Sequence, residues 1–146
     1  MIGLISALSV RAFANLGETY AESVARYGEP KQIDSTTNRV IWLINSELGI
    51  AAEFGGPDST CDVIEYAMFG RAFTETEILT FIAFNIPKDQ QYSEVKVAYG
   101  RGWLASNKTT FHLFVSGAGD HHVVLMGGTD ERFQRAKKQL NIPADR

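Results

Sequence analysis

The sequence predicts an α+β domain: an antiparallel sheet built as a meander, with helices packed on one of its faces, in the order helix–strands–helix–strands–helix. Three observations predict it. Two segments carry a T-x-x-E capping pattern ahead of an apolar or mixed helical run, at Thr19/Glu22 and Thr74/Glu77. The segments after each of them alternate apolar and polar residues, the period of a half-buried strand. The connections between those segments are short, and parallel pairing would need crossovers of about a dozen residues or more.

The first element is the helix over Gly17-Glu-Thr-Tyr-Ala-Glu-Ser-Val-Ala-Arg-Tyr-Gly-Glu-Pro30. Thr19 caps it, Gly28 supplies the left-handed stop and Pro30 bars continuation. Arg39 to Ile44 is rich in branched and aromatic residues and reads as a strand. Asn45-Ser46 turns the chain into a second strand over Leu48 to Phe54. Gly55-Gly-Pro-Asp58 is a loop, and Thr60 to Phe69 is the next strand. The second helix starts at Thr74, buries Ile78, Leu79, Phe81 and Ile82, and ends at Asn85-Ile86-Pro87. Further strands are expected over Tyr92 to Tyr99, Gly102 to Ala105, Thr109 to Val115 and His121 to Met126, with Gly127-Gly128 breaking the last one. A third helix closes the chain from Asp130 to Leu140, with Phe133, Ala136 and Leu140 inward. The shared plan of the halves, a capped helix and then three or four strands, fits a degenerate duplication or one sheet interrupted by a helix; the second is preferred.

Composition narrows the class. The chain has 146 residues, 45% of them hydrophobic and 11% aromatic, enough for one domain with a core that needs no disulfide or metal to fold. Net charge is −3 and no basic block occurs, which argues against a nucleic-acid partner. No segment is long and apolar enough for a transmembrane helix. Residues 1–14 read as a signal peptide: an apolar run over Ile2 to Val10, then Ala12-Phe13-Ala14 in the A-x-A form of a cleavage site. No Lys or Arg precedes that run, so a native strand or helix is the other reading. Residues 15–146 form the single domain, and the expected location is periplasmic or secreted. The lone Cys61 is expected as a small packed strand residue; the acids at positions 62 and 65 would raise its thiol pKa.

Gly17, Glu18, Thr19, Glu22, Arg26, Tyr27, Gly28 and Pro30, followed by Phe54, Gly56, Ile64 and Tyr66, resemble a diffuse group of exported bacterial proteins of unknown function. That group carries a GET-x-x-E…RYG-x-P helix and then a run of strands. More loosely, the plan looks like small envelope lipoproteins and secreted domains of the β-lactamase-inhibitor-protein type. The resemblance implies fold, export and protein binding, and it carries no catalytic residues to this chain. A lipoprotein's lipidated Cys is absent from the expected cleavage site.

The expected role is accordingly a non-enzymatic module that binds a protein or envelope component, with no cofactor. Tyr99, Trp103 and Phe114 are the candidate binding residues, as aromatics able to form an apolar patch on an uncovered sheet face. The alternative is a small hydrolase or metal-dependent enzyme using the hairpin histidines, with His112 and His122 as weak metal candidates. Usual zinc spacings, a G-x-S-x-G turn and nucleotide-binding glycine motifs are all missing from the sequence. A third reading is self-association through an unpaired edge strand.

Overall fold

The computed structural model describes residues 16–55, 59–116 and 122–128, together with residues 131, 134, 135 and 138. The chain runs α1 (Tyr20–Tyr27), β1 (Gln32–Asp34), β2 (Arg39–Leu43), β3 (Leu48–Phe54) and β4 (Cys61–Met68). It continues through α2 (Glu75–Phe84), β5 (Tyr92–Val95), β6 (Arg101–Ala105), β7 (Thr110–Ser116) and β8 (His122–Gly128). All eight strands join one sheet in the order β1-β2-β3-β4-β8-β7-β6-β5, every neighbouring pair antiparallel.

This corrects the expected fold class. Among the described residues the protein is mainly β, one eight-stranded sheet with short helices of 8 and 10 residues at α1 and α2, rather than a meander with helices layered on one face. Two features account for the difference. β1 is absent from the sequence expectation because Gln and Asp have low strand preference; it forms by pairing with β2 at the sheet edge. The sheet is also two meanders joined through their last strands, a non-local pairing of β4 with β8 that local pattern does not encode. Of the expected third helix, Glu131, Gln134, Arg135 and Lys138 are helical and exposed; Phe133, Ala136 and Leu140 lie outside the described residues, as do the leader and the loop tips at 56–58 and 117–121.

Both capping boxes form. Thr19 and Thr74 each accept a hydrogen bond from the backbone N–H of the glutamate three residues on, and that glutamate's side chain accepts from the threonine N–H. α1 stops at Gly28, whose φ of 82° only glycine adopts without strain. Gly127 and Gly128 do not break β8, contrary to expectation: they pair with Phe111 and Thr110. Glycine is needed at 127 because a Cβ there would stand 2.2 Å from the Phe111 ring.

The core divides between the two sheet faces. On the first, Val40, Trp42, Ile50, Ile64 and Tyr66 pack with Trp103 and Phe111 beneath both helices. α1 contributes Val24 and Tyr27, whose ring lies 5.4 Å from that of Trp42. α2 contributes Ile78, Phe81 and Ile82, with Phe81 stacked on Tyr66 at 4.3 Å. On the second face Val63, Phe114 and Met126 form a smaller cluster with Ala67. β3 is buried along its whole length, so the sheet is covered on both sides there.

Candidate functional site

The α1 motif builds a clasp over the first face. The Gly17 N–H donates to the Cys61 carbonyl and the Cys61 N–H donates to the Glu18 carbonyl, both at 2.7 Å, pinning the helix start to the start of β4. Glu18 pairs with Arg26 two turns on. The Trp42 Nε1–H donates to the Gly28 carbonyl at 3.0 Å, pinning the helix stop to β2. Beneath the helix the Asn85 amide donates to the Tyr66 hydroxyl at 2.7 Å and to the Phe81 carbonyl, while its Oδ1 accepts from the Leu16 N–H. Ser23 is wholly buried and its Oγ makes no hydrogen bond, like the Tyr27 hydroxyl. Burial pushes the Tyr27, Tyr66 and Cys61 pKa values up, so all three stay protonated at neutral pH. The thiol donates to the Val63 carbonyl at 3.2 Å and is 2% exposed, a packed group with no route for a reactant.

The second face holds a charged cluster. Arg39 grips Glu65 through two hydrogen bonds of 3.0 and 2.6 Å, and lies 3.9 Å from Glu53. Glu53 and Glu65 are 4% and 6% exposed, and Glu53 Oε1 accepts no hydrogen bond. Burial raises the Glu53 pKa; Arg39 and Arg135 act against that rise, while Glu65 and Asp62 add to it. Glu53 therefore holds a proton more readily than a solvated glutamate, beside a neutralised Arg39–Glu65 pair. A third ionic group lies at the β5–β6 edge, where Arg101 bonds both Glu94 and Glu75 and stacks 4.8 Å over Trp103.

The candidate binding residues do not share a surface. Trp103 is 2% exposed in the core beneath the helices. Phe114 is 4% exposed in the cluster on the opposite face. Register explains the split: Trp103 pairs with Phe111, and Phe114, an odd number of positions further, points the other way. Only Tyr99 is open, at 50%. The histidines also stand apart. His112 is buried opposite Met126, whereas His122 pairs with Ser116, four positions along β7 and so roughly 13 Å away by strand rise. Among the described residues no group of three or more His, Cys, Asp or Glu side chains could hold a metal ion.

Sequence reasoning named Tyr99 and missed Val115, which lies toward the same end of the sheet. Gly100 carries a φ of 71°, and a Cβ there would strike the Leu113 carbonyl oxygen at 2.1 Å. The chain is thus held against β7 at Leu113 and Phe114, and Tyr99 comes to the Val115 end of that strand. Val115 is 48% exposed. Among the described residues no helix is long and apolar enough to cross a membrane. Searches of protein-family models, curated proteins and solved structures found no match to this chain.

Proposed function

We propose that this chain is an exported, non-enzymatic binding module, acting in the periplasm or outside the cell on a protein or envelope component. Its contact surface is the Tyr99–Val115 end of β6 and β7, which replaces the broader aromatic patch expected from sequence. The observation that supports this reading is the half exposure of both side chains at one end of the sheet, where most other large apolar groups on these strands are buried. An exposed tyrosine is the kind of side chain on which a partner surface is centred.

A photocrosslinking residue placed at position 99 in producing cells tests this. It is expected to give one discrete adduct that Val115→Asp removes, while the same residue at Ser106, exposed in the β6–β7 turn, gives none. No adduct at 99, or equal labelling from both sites, refutes the contact surface. Export is tested separately by cell fractionation and by mass spectrometry of the mature chain, whose expected first residue is Asn15.

A further inference from the structure

The register of β2–β4 repeats in β6–β8 with a constant offset, while the outer pair departs from it by two residues, Gln32 facing Ile41 but Ser93 facing Leu104. Trp42-Leu43 recurs as Trp103-Leu104 and Val63 as Val124, each 61 residues on. The pairing follows the same shift. Leu43 pairs with Gly49, and Leu104 with Thr110. Ile50 pairs with Tyr66, and Phe111 with Gly127. Each second pair is the first pair moved by 61 residues. The same offset maps Glu65 onto Met126, and these two residues pair with each other.

A strand pair in which a residue faces its own counterpart has a two-fold axis running through that point. The flanking pairs obey the axis: Ile64 faces Gly127, the counterpart of Tyr66, while Tyr66 faces Leu125, the counterpart of Ile64. This is the isologous pattern of a symmetric dimer interface. Each half also opens with a threonine-capped helix before its four strands, the caps Thr19 and Thr74 lying outside the 61-residue offset.

We infer that the chain is two copies of one helix-plus-four-strand unit fused in tandem, and that the β4–β8 seam is a self-complementary interface able to form between two chains as well as within one. The partner is a second copy of this chain, which would exchange halves across the seam. Inside one chain the units are covalently linked through residues 69–73, between the end of β4 and the cap of α2. Gly70 and Arg71 in that link are exposed, while Phe73 is buried against Phe81 in the helix layer.

Deleting Gly70, Arg71 and Ala72 tests the inference. The remaining Phe69–Phe73 step spans about 3.8 Å, where the intact link can reach about 13–14 Å. Both units of one chain can then no longer pair with each other. The expected result is a twofold rise in mass by light scattering relative to the unaltered protein, with its far-UV circular dichroism retained. A folded variant of unchanged mass overturns the inference. If the deletion variant does not fold, a second variant decides: a protease site inserted between Gly70 and Arg71, cut after folding. Fragments that stay paired through size exclusion support a self-sufficient seam, and fragments that separate overturn it.

Discussion

On its second face the first half of the sheet carries Arg39, Glu53 and Glu65; at the counterpart positions the second half carries Gly100, Phe114 and Met126. The backbone frame is the same at the two glutamate positions and differs at Gly100, which lies just before β6 with a φ of 71°; the buried content is opposite, an ionic triad against an apolar pair and a glycine. The frame therefore does not require the charges, since Phe114 and Met126 are buried at equivalent positions without them. The first face differs in another way. Where the first half sets Ile50 against Tyr66, the second sets Phe111 against Gly127, so bulk has moved from one strand to its neighbour while the layer stays filled.

The largest test of this equivalence is the tryptophan pair. Trp42→Ala and Trp103→Ala are each expected to cost about 3–5 kcal/mol, the range for emptying a large aromatic from a core. Trp42 should cost more, because only it also donates to the Gly28 carbonyl that ends α1. Chemical denaturation of both variants measures the difference, and a Trp103 loss well below the range would break the comparison.

Next is the exchanged bulk. Gly127→Ala is expected to destabilise by about 1–3 kcal/mol, because its methyl enters the Phe111 ring. Phe111→Ile should recover part of that loss in the double variant, since it restores the residue found at the counterpart position, Ile50. Additive losses across the double-mutant cycle would show that the two pairs do not share one geometry.

Much of the frame was legible in sequence where it is local. The two T-x-x-E boxes, and the strands Leu48–Phe54 and Cys61–Met68, rest on capping chemistry and on neighbours a few residues away. The misses are non-local. β1 is a strand because β2 lies beside it, and Gly127 sits inside β8 because Phe111 lies over it. The duplication left traces in sequence, the two T-x-x-E boxes ahead of strands and the return of Trp-Leu and a valine after 61 residues, too sparse to choose it over a continuous sheet. Whether Tyr99, Trp103 and Phe114 form one continuous patch was hidden for the same reason. Whether Trp103 and Phe114 share a face depends on strand register, and composition cannot set register.

The ionic triad offers a pH test confined to the first half. Burial raises the Glu53 carboxyl above the ordinary glutamate range in the folded protein. A raised carboxyl favours the folded state while it is protonated. That contribution is present below the unfolded pKa and is lost as pH rises through the folded one. Glu53→Gln should therefore stabilise the protein at pH 7, by an amount on the order of 1 kcal/mol, and the gain should fade as pH drops toward 4. Thermal melts at both values measure it. A gain that grows on acidification would mean that the pull of Arg39 outweighs burial.

The smallest effect addresses the open end of the second half. In the first half Tyr20, the first helical residue after its Thr19 cap, stands edge-on to Phe54 at 5.7 Å, and Phe54 is 6% exposed. The counterparts are Glu75, the first helical residue after Thr74, and Val115, which is 48% exposed. Glu75 points its charge to Arg101 instead, so nothing equivalent to Tyr20 shields Val115. Glu75→Tyr should supply the missing cover. Arg101 keeps Glu94, and an exposed ion pair contributes about 0–1 kcal/mol, so losing one partner costs little. A new aromatic contact adds about 0.5 kcal/mol or slightly more, which leaves a net change in stability near zero. The informative readout is therefore binding: crosslinking from position 99 should fall in Glu75→Tyr while the melting temperature holds. Undiminished crosslinking would place the partner away from Val115, and would leave the openness of the second half as a difference in packing alone.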